Sequence, residues 1–419
     1  MKNAKSYLLL FSMALSMLAG CQKNTLEDGS NTYEAKRPIQ IDQQVTNSPV
    51  TEENTTSWIE LQNPIIKQLP EEKLPTEQPK STIIESPTKE KIDVTSVDVT
   101  SNKENDEIAD STEETPITPI DYQKKLKKGM DVDWSKTSKG REAYNEQAVI
   151  DFKSNGISHV RIRIKDEAND ELFQYLDKQI DDCLKNGLIP VIAYQADELK
   201  NAPTQKNIDK VVKWWRTIAK RYKNKSPLLS FDLLIEVSDA LNKEPEILNE
   251  IYEQLVTDIR KTNPTRILIM SPRLRSDASY LSELKVPTEH NNYMMAEWHF
   301  YASGPSKTNE RKLWTTGTKE EQDKITEKID LALQWQKDTG IPTWVGAWMA
   351  GNYNDANDYT VEEQVVFAKF MTQALSNANI PFAVNSDTKF YDRETNQWIE
   401  EMQPVFKNAF TVDTIYNQK

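Results

Sequence analysis

Cysteine is nearly absent: Cys21 and Cys183 are the two in 419 residues, so no disulfide framework holds this chain together. If Cys21 is modified, as its surroundings imply below, Cys183 stands alone and forms no intrachain bridge. Cys183 sits in a helical pattern, where a single cysteine behaves as a small buried hydrophobe, and no catalytic cysteine constellation accompanies it. Hydrophobic residues are also sparse, at 37% with a mean hydropathy of −0.70. The deficit lies in the polar N-terminal quarter, while the rest is rich in Trp, Leu and Ile. Positive charge is in deficit too, with a formal net charge of −13. The longest basic cluster, residues 124–128, reads as a solvated stretch. Both facts argue against a partner such as nucleic acid bound through a basic face. With three histidines and no His/Cys/Asp/Glu cluster at zinc-ligand spacing, neither a metal nor another cofactor is expected.

Residues 1–20 have the three parts of a secretory signal: Lys2 and Lys5, an apolar run over 7–18, then small residues. That run is shorter than the roughly 20 residues needed to span a bilayer. It ends Leu18-Ala19-Gly20-Cys21, which resembles the lipobox of bacterial lipoproteins. The resemblance implies a lipid anchor on Cys21 and a cell-envelope location, with the outer membrane expected. Glu27 and Asp28 resemble a surface-export signal. Acyl chains contribute about 0.8 kcal/mol per buried methylene, enough in combination to hold a chain on a membrane. Residues 21–119, dominated by Thr, Glu, Lys, Pro, Asn and Ser, bury too little apolar surface to offset chain entropy and read as a disordered tether. Prolines at 64, 70, 75, 79 and 87 extend it.

Order begins near Ile120 and continues through 120–419. Strands are expected at 128–132, 159–164, 189–194, 229–237, 266–270, 294–300, 343–347 and 382–385, with helices between them at 147–154, 172–185, 208–222, 247–261, 319–339 and 361–377. Strands alternating with helices at this length predict an α/β fold, a (β/α)8 TIM barrel. An open doubly wound sheet would carry a glycine-rich turn after its first strand, and Asp131-Val132-Asp133-Trp134 is no such turn.

Several segments resemble glycoside hydrolase family 5: Gly129-Met130-Asp131-Val132, Phe152 through Ile162 around Arg161, Leu248-Asn249-Glu250, Thr262 through Ile267, Trp298-His299-Phe300-Tyr301, and Pro342-Thr343-Trp344-Val345-Gly346. The resemblance implies a polysaccharide or oligosaccharide partner, with Arg161 beneath the catalytic acids and His299 and Tyr301 facing the sugar. The departures are as telling. The family's Phe-Glu-x-x-Asn-Glu-Pro, whose last glutamate is the acid/base, set on Ile235–Leu241 puts Ala240 at that position and Asp239 beside it. The nucleophile of Val-Gly-Glu-Phe-Gly falls on Ala347. A retaining glycosidase needs two carboxyl groups about 5–5.5 Å apart, and a methyl group supplies neither function. The expectation is therefore a glycan-engaging pseudoenzyme. The rivals are an active hydrolase with relocated acids Asp239 and Glu297, and a docking barrel with a vestigial cleft.

By strand parity Glu297, His299 and Tyr301 point into the barrel. Glu297 either carries chemistry opposite Asp239 or pairs internally with Arg161 or Arg163. Trp134, Trp298, Trp348 and Tyr353 are expected as flat platforms for sugar rings and Asn385 as a substrate contact, with the loop 350–359 offering hydrogen bonds. Trp214, Trp215 and Trp335 read as helix packing. Oligomeric state has no signature in the sequence.

Overall fold

A computed structural model describes residues 115–287, 289, 292–302, 312–351 and 359–410. The signal, Cys21, most of the tether and Tyr353 lie outside the described residues.

Eight parallel strands close into a barrel in sequence order: β1 Lys128–Ser135, β2 His159–Ile164, β3 Ile189–Tyr194, β4 Ser230–Asp232, β5 Leu268–Met270, β6 Met294–Tyr301, β7 Thr343–Met349 and β8 Phe382–Asn385. β1 pairs with both β2 and β8, completing the ring. This is the (β/α)8 barrel expected from the alternation. Its helices are α1 Pro119–Leu126, α2 Glu146–Ser154, α3 Asp170–Lys185, α4 Gln205–Arg221, α5 Pro245–Arg260, α6 Lys319–Thr339, α7 Val361–Asn377 and α8 Gln403–Phe410, with shorter turns between.

Period-2 alternation makes the barrel wall. On β2, Val160, Ile162 and Ile164 join the core shared with the helices, while His159, Arg161 and Arg163 occupy the lumen. The helices start where their caps dictate: Thr318 with Glu321 and Thr360 with Glu363 form reciprocal capping boxes at α6 and α7. Cys183, Trp214, Trp215 and Trp335 are buried on helix faces, as expected of core residues; burying one such large apolar side chain contributes roughly 1.5–3 kcal/mol.

Two features depart from the expectations. The basic stretch 124–128 is not simply solvated. It is the end of α1, which closes the N-terminal end of the barrel: Tyr122 and Leu126 are fully buried there with Ile189, Ile269, Met295 and Trp344. The Tyr122 hydroxyl lies 2.7 Å from Ser230 Oγ, and Lys128 is buried, its Nζ donating to the Phe410 carbonyl at 3.1 Å. Beneath α1, Trp344 Nε1 donates to His159 Nε2 at 3.2 Å, so the ring proton sits on Nδ1 and goes to the Leu126 carbonyl at 2.7 Å. Gly129 leaves space for that imidazole, because a Cβ would overlap the ring. Secondly, no long helix follows β5. Leu274, Arg275 and Ser276 instead take left-handed conformations in succession, and a 3-10 turn, Ala278–Glu283, returns the chain to β6. Left-handed backbone is costly for residues other than glycine, so such a run persists only where surrounding contacts impose it.

Candidate functional site at the barrel mouth

The C-terminal ends of the strands gather a buried charge network around Arg161. Its Nε donates to Asp232 on β4 at 2.8 Å and its Nη2 lies 3.1 Å from Glu297 Oε2 on β6. Arg163 pairs with Asp131 at 3.3 Å and Asp133 at 2.6 Å. Buried charges are tolerated only when paired in this way. Burial and the charge of Glu297 push the Asp232 carboxyl up, while Arg161 and His299 outweigh the burial of Glu297 and hold it down.

Of the two roles open to Glu297, the structure builds the internal pair. The carboxylate is fully buried between Arg161 and His299, and Gly346 makes room for it, since a Cβ there would overlap its Oε2. Glu297 thus lies beneath the mouth, walled off from any ligand. Asp239 is exposed on the turn after β4 with a left-handed backbone, accepting from Ser238 Oγ at 2.7 Å. Glu297 is fully buried while Asp239 faces solvent, so the two do not present a carboxylate pair to one ligand.

His299 and Tyr301 do converge, and the residue on which they meet is Glu236. His299 Nε2 stands 3.1 Å from Glu297, its Nδ1 3.5 Å from Glu236 Oε1. Burial opposes a charged imidazole, but the two carboxylates win and raise His299 to about 9, making it a cation at neutral pH. The Tyr301 hydroxyl donates to Glu236 Oε1 at 3.1 Å, and Asn385 Nδ2 approaches that hydroxyl at 3.4 Å. Arg275, aimed by the left-handed turn, reaches Glu236 Oε2 at 3.6 Å. Burial favours a neutral Glu236, yet His299, Lys200 and Arg275 hold it well below the usual carboxylate range. Glu236 itself has a positive φ of 48°, strain that fits a functional position.

This geometry corrects the sequence register at β4. Ala240 belongs to the turn leading into the 3-10 segment Leu241–Lys243, beyond the mouth network. The partner of Arg161 is Asp232, and four residues on, at the mouth, stands Glu236. The motif therefore fits Phe231-Asp232-Leu233-Leu234-Ile235-Glu236-Val237, with Asp, Ile and Val where Glu, Asn and Pro were expected. The clue in the sequence was Phe231, which matches the motif's first residue; the chosen register had Ile235 there instead.

On β7, Ala347 is fully buried against Tyr301 and Met349, on the same side as Glu236's donor. The register between β6 and β7 shifts between Trp298 and His299, so that Trp298 pairs with Val345 and His299 with Ala347. Trp348 consequently falls outside the barrel against Phe367 and Phe382, fully buried, and is no platform. Trp134 is likewise fully buried, its Nε1 donating to Asp387 Oδ2 at 3.0 Å and its ring beside Tyr144 and Phe152. Trp298 lies in the core as well. All three tryptophans face outward from the barrel into the core shared with the helices. Among the described residues no group of His, Cys, Asp and Glu is arranged to hold a metal ion.

Residues 121–386, more than half of the chain, match the Cellulase family, glycosyl hydrolase family 5. The chain belongs to this family. It is 24% identical over 292 residues to endoglucanase H of Acetivibrio thermocellus, covering 66% of this chain and 31% of that protein, so it spans about a third of the relative's length. Its fold is similar to an endoglucanase of Thermotoga maritima (TM-score 0.61, 22% identity, covering 70% of this chain and all of that one). The cellulose synthase subunit Z of Clostridioides difficile is also similar, with a TM-score of 0.59 and 22% identity over 68% of this chain and 99% of the other.

Proposed function

We propose that this chain is a lipid-anchored family 5 barrel that engages a polysaccharide at its mouth without cleaving it by double displacement. The observation that carries this reading is that, among the described residues, Glu236 is the carboxylate that meets His299 and Tyr301, with no second one beside Ala347. Glu236 occupies the position of the acid/base, and the position of the nucleophile is the methyl group of Ala347. A retaining mechanism needs one carboxyl to protonate the leaving oxygen and a second, about 5–5.5 Å away, to attack the anomeric carbon. Here the second is missing, and its absence also spoils the first. A neighbouring negative charge raises a carboxyl's pKa and keeps it protonated. Without that second catalytic carboxylate, Glu236 is held ionised by His299, Lys200 and Arg275 and has no proton to give. What remains is a polar mouth lined by Tyr301, Asn385 and Glu236, able to exchange hydrogen bonds with sugar hydroxyls. Relatives named as endoglucanases support a polysaccharide as the ligand class. The lipobox around Cys21 supports placement at the cell envelope, in the outer membrane.

The test is affinity electrophoresis of the full chain through gels containing a polysaccharide panel, with reducing-sugar release measured in parallel. Retardation without release is expected. Release that disappears in Glu236→Gln would show that a hydrolytic mechanism survives. Silence in both assays would remove the glycan from the proposal.

A further inference from the structure

Among the described residues the charges around the mouth are not balanced, although the protein as a whole is strongly acidic. Among the described residues Glu236 is the carboxylate within ion-pair distance of Arg275, at 3.6 Å, and it is shared with His299 at 3.5 Å. Lys136 is held below its ordinary pKa, first by the charge of Arg163 and then by burial, even though Asp133 is 3.6 Å away. Lys389, in the turn after β8, has no carboxylate at all among the described residues. Its Nζ makes one contact, with Met349 Sδ at 3.5 Å, and a Cβ on Gly351 would lie 2.8 Å from it. Met349 packs directly against Ala347 and Tyr301. Among the described residues this ammonium has no carboxylate partner, and only Met349 stands between it and Ala347, where the family's nucleophile would have put a negative charge. Burial holds Lys389 below the ordinary lysine value, with nothing to compensate. A half-buried cation without a partner is unfavourable unless something anionic completes it.

We propose that the ligand supplies the missing charge: the mouth takes an anionic polysaccharide carrying uronate carboxylates, with Lys389 and Arg275 as the groups that select it over a neutral glucan. The inference rests on the glycan-engaging reading above and specifies its substrate class. A sugar carboxylate above Ala347 would meet the Lys389 ammonium, and the ring's other hydroxyls would meet Tyr301 and Asn385. Replacing the glutamate by alanine then does two things at once, removing the nucleophile and clearing both space and charge for an acidic sugar.

The experiment uses the full chain in detergent, run by affinity electrophoresis against polygalacturonate, the same polymer after carboxyl reduction, and a neutral β-glucan. Polygalacturonate is expected to retard the protein at least tenfold more strongly than its reduced form, with the retardation fading as salt screens the charges. Lys389→Met is expected to remove most of that difference while the melting temperature holds, and Lys389→Arg to retain it. Equal retardation by the acidic and reduced polymers, or by the neutral glucan alone, would overturn the charge selection and leave the glycan reading intact. No retardation by any polymer would overturn both.

Discussion

Arg161 and Glu297 form the central pair of the barrel interior, 3.1 Å apart and each essentially without solvent exposure. Removing one member of a buried pair leaves an uncompensated charge, a loss of about 3–5 kcal/mol. Arg161→Leu is therefore expected to lower the urea midpoint by that free energy. Arg161→Lys should fall only part of the way back, because an ammonium cannot serve Asp232 and Glu297 from two edges of one plane. A midpoint unchanged in Arg161→Leu would mean the network is not what holds the mouth together.

Restoring the missing carboxylate is the direct test of the reading at β7. Ala347→Glu is expected to raise the hydrolysis of an activated aryl β-glycoside at least tenfold over the parent, with Glu236→Gln in the same background reversing the gain. The new negative charge should also lift the Glu236 pKa, and with it the alkaline limb of the pH–rate profile. Inactivity of a folded Ala347→Glu would indicate that the mouth has diverged beyond this one residue.

Two buried histidines pull stability in opposite directions with pH. His299 is raised from 6.5 to about 9 in the fold, so its contribution is complete below about pH 6.5 and is lost as pH rises through 9. His159 is lowered by burial from 6.5 to about 4, so its contribution is present above 6.5 and is lost as pH falls towards 4. Glu236, depressed from its ordinary 4.5, adds stability above that pH and loses it on acidification. Urea titrations across this range are expected to give a maximum near pH 6.5. His299→Gln should flatten the alkaline limb and His159→Gln should make the acid limb shallower. A profile whose alkaline limb is identical with and without His299 would contradict the charged state assigned to it.

Gly346 is a packing requirement more than a turn. Gly346→Ala places a methyl group into the Glu297 carboxylate, and overpacking of this kind costs roughly 1–3 kcal/mol. The expected result is a drop of several degrees in melting temperature, measured by circular dichroism, with a parallel loss of glycan retardation. Unchanged melting would show that β7 can shift to absorb the methyl group.

At the other end of the chain, Cys21→Ala is expected to move the protein from the detergent to the aqueous phase in Triton X-114 partitioning of bacterial cells. Retention in the detergent phase would rule out Cys21 as the attachment point.

The barrel was legible in the sequence because its signals are local. Period-2 segments and capped amphipathic helices announce themselves, and β2, β3 and β8 fall on the expected residues. Positions that depend on register were harder to read. Glu236 was displaced by a four-residue slip in the motif; Phe231 hinted at the register, and the contact between Arg161 and Asp232 fixes it. The parity of Trp298 could have been taken from its neighbours Glu297 and His299. That of Trp348 could not, because Trp344 lies in the lumen and only the irregularity between Val345 and Trp348 turns the later residue outward. The closing role of α1 was hidden by its lysines, which mask Tyr122 and Leu126 in any average over the segment.

That helix also sets how the domain would bear mechanical load. The chain reaches the barrel through α1, at the end opposite the mouth. Tension arriving along the residues before Pro119 would be felt first by the Tyr122 and Leu126 anchors, and the first thing to come loose would be the stopper over His159. The mouth of the barrel would be the last to register the pull.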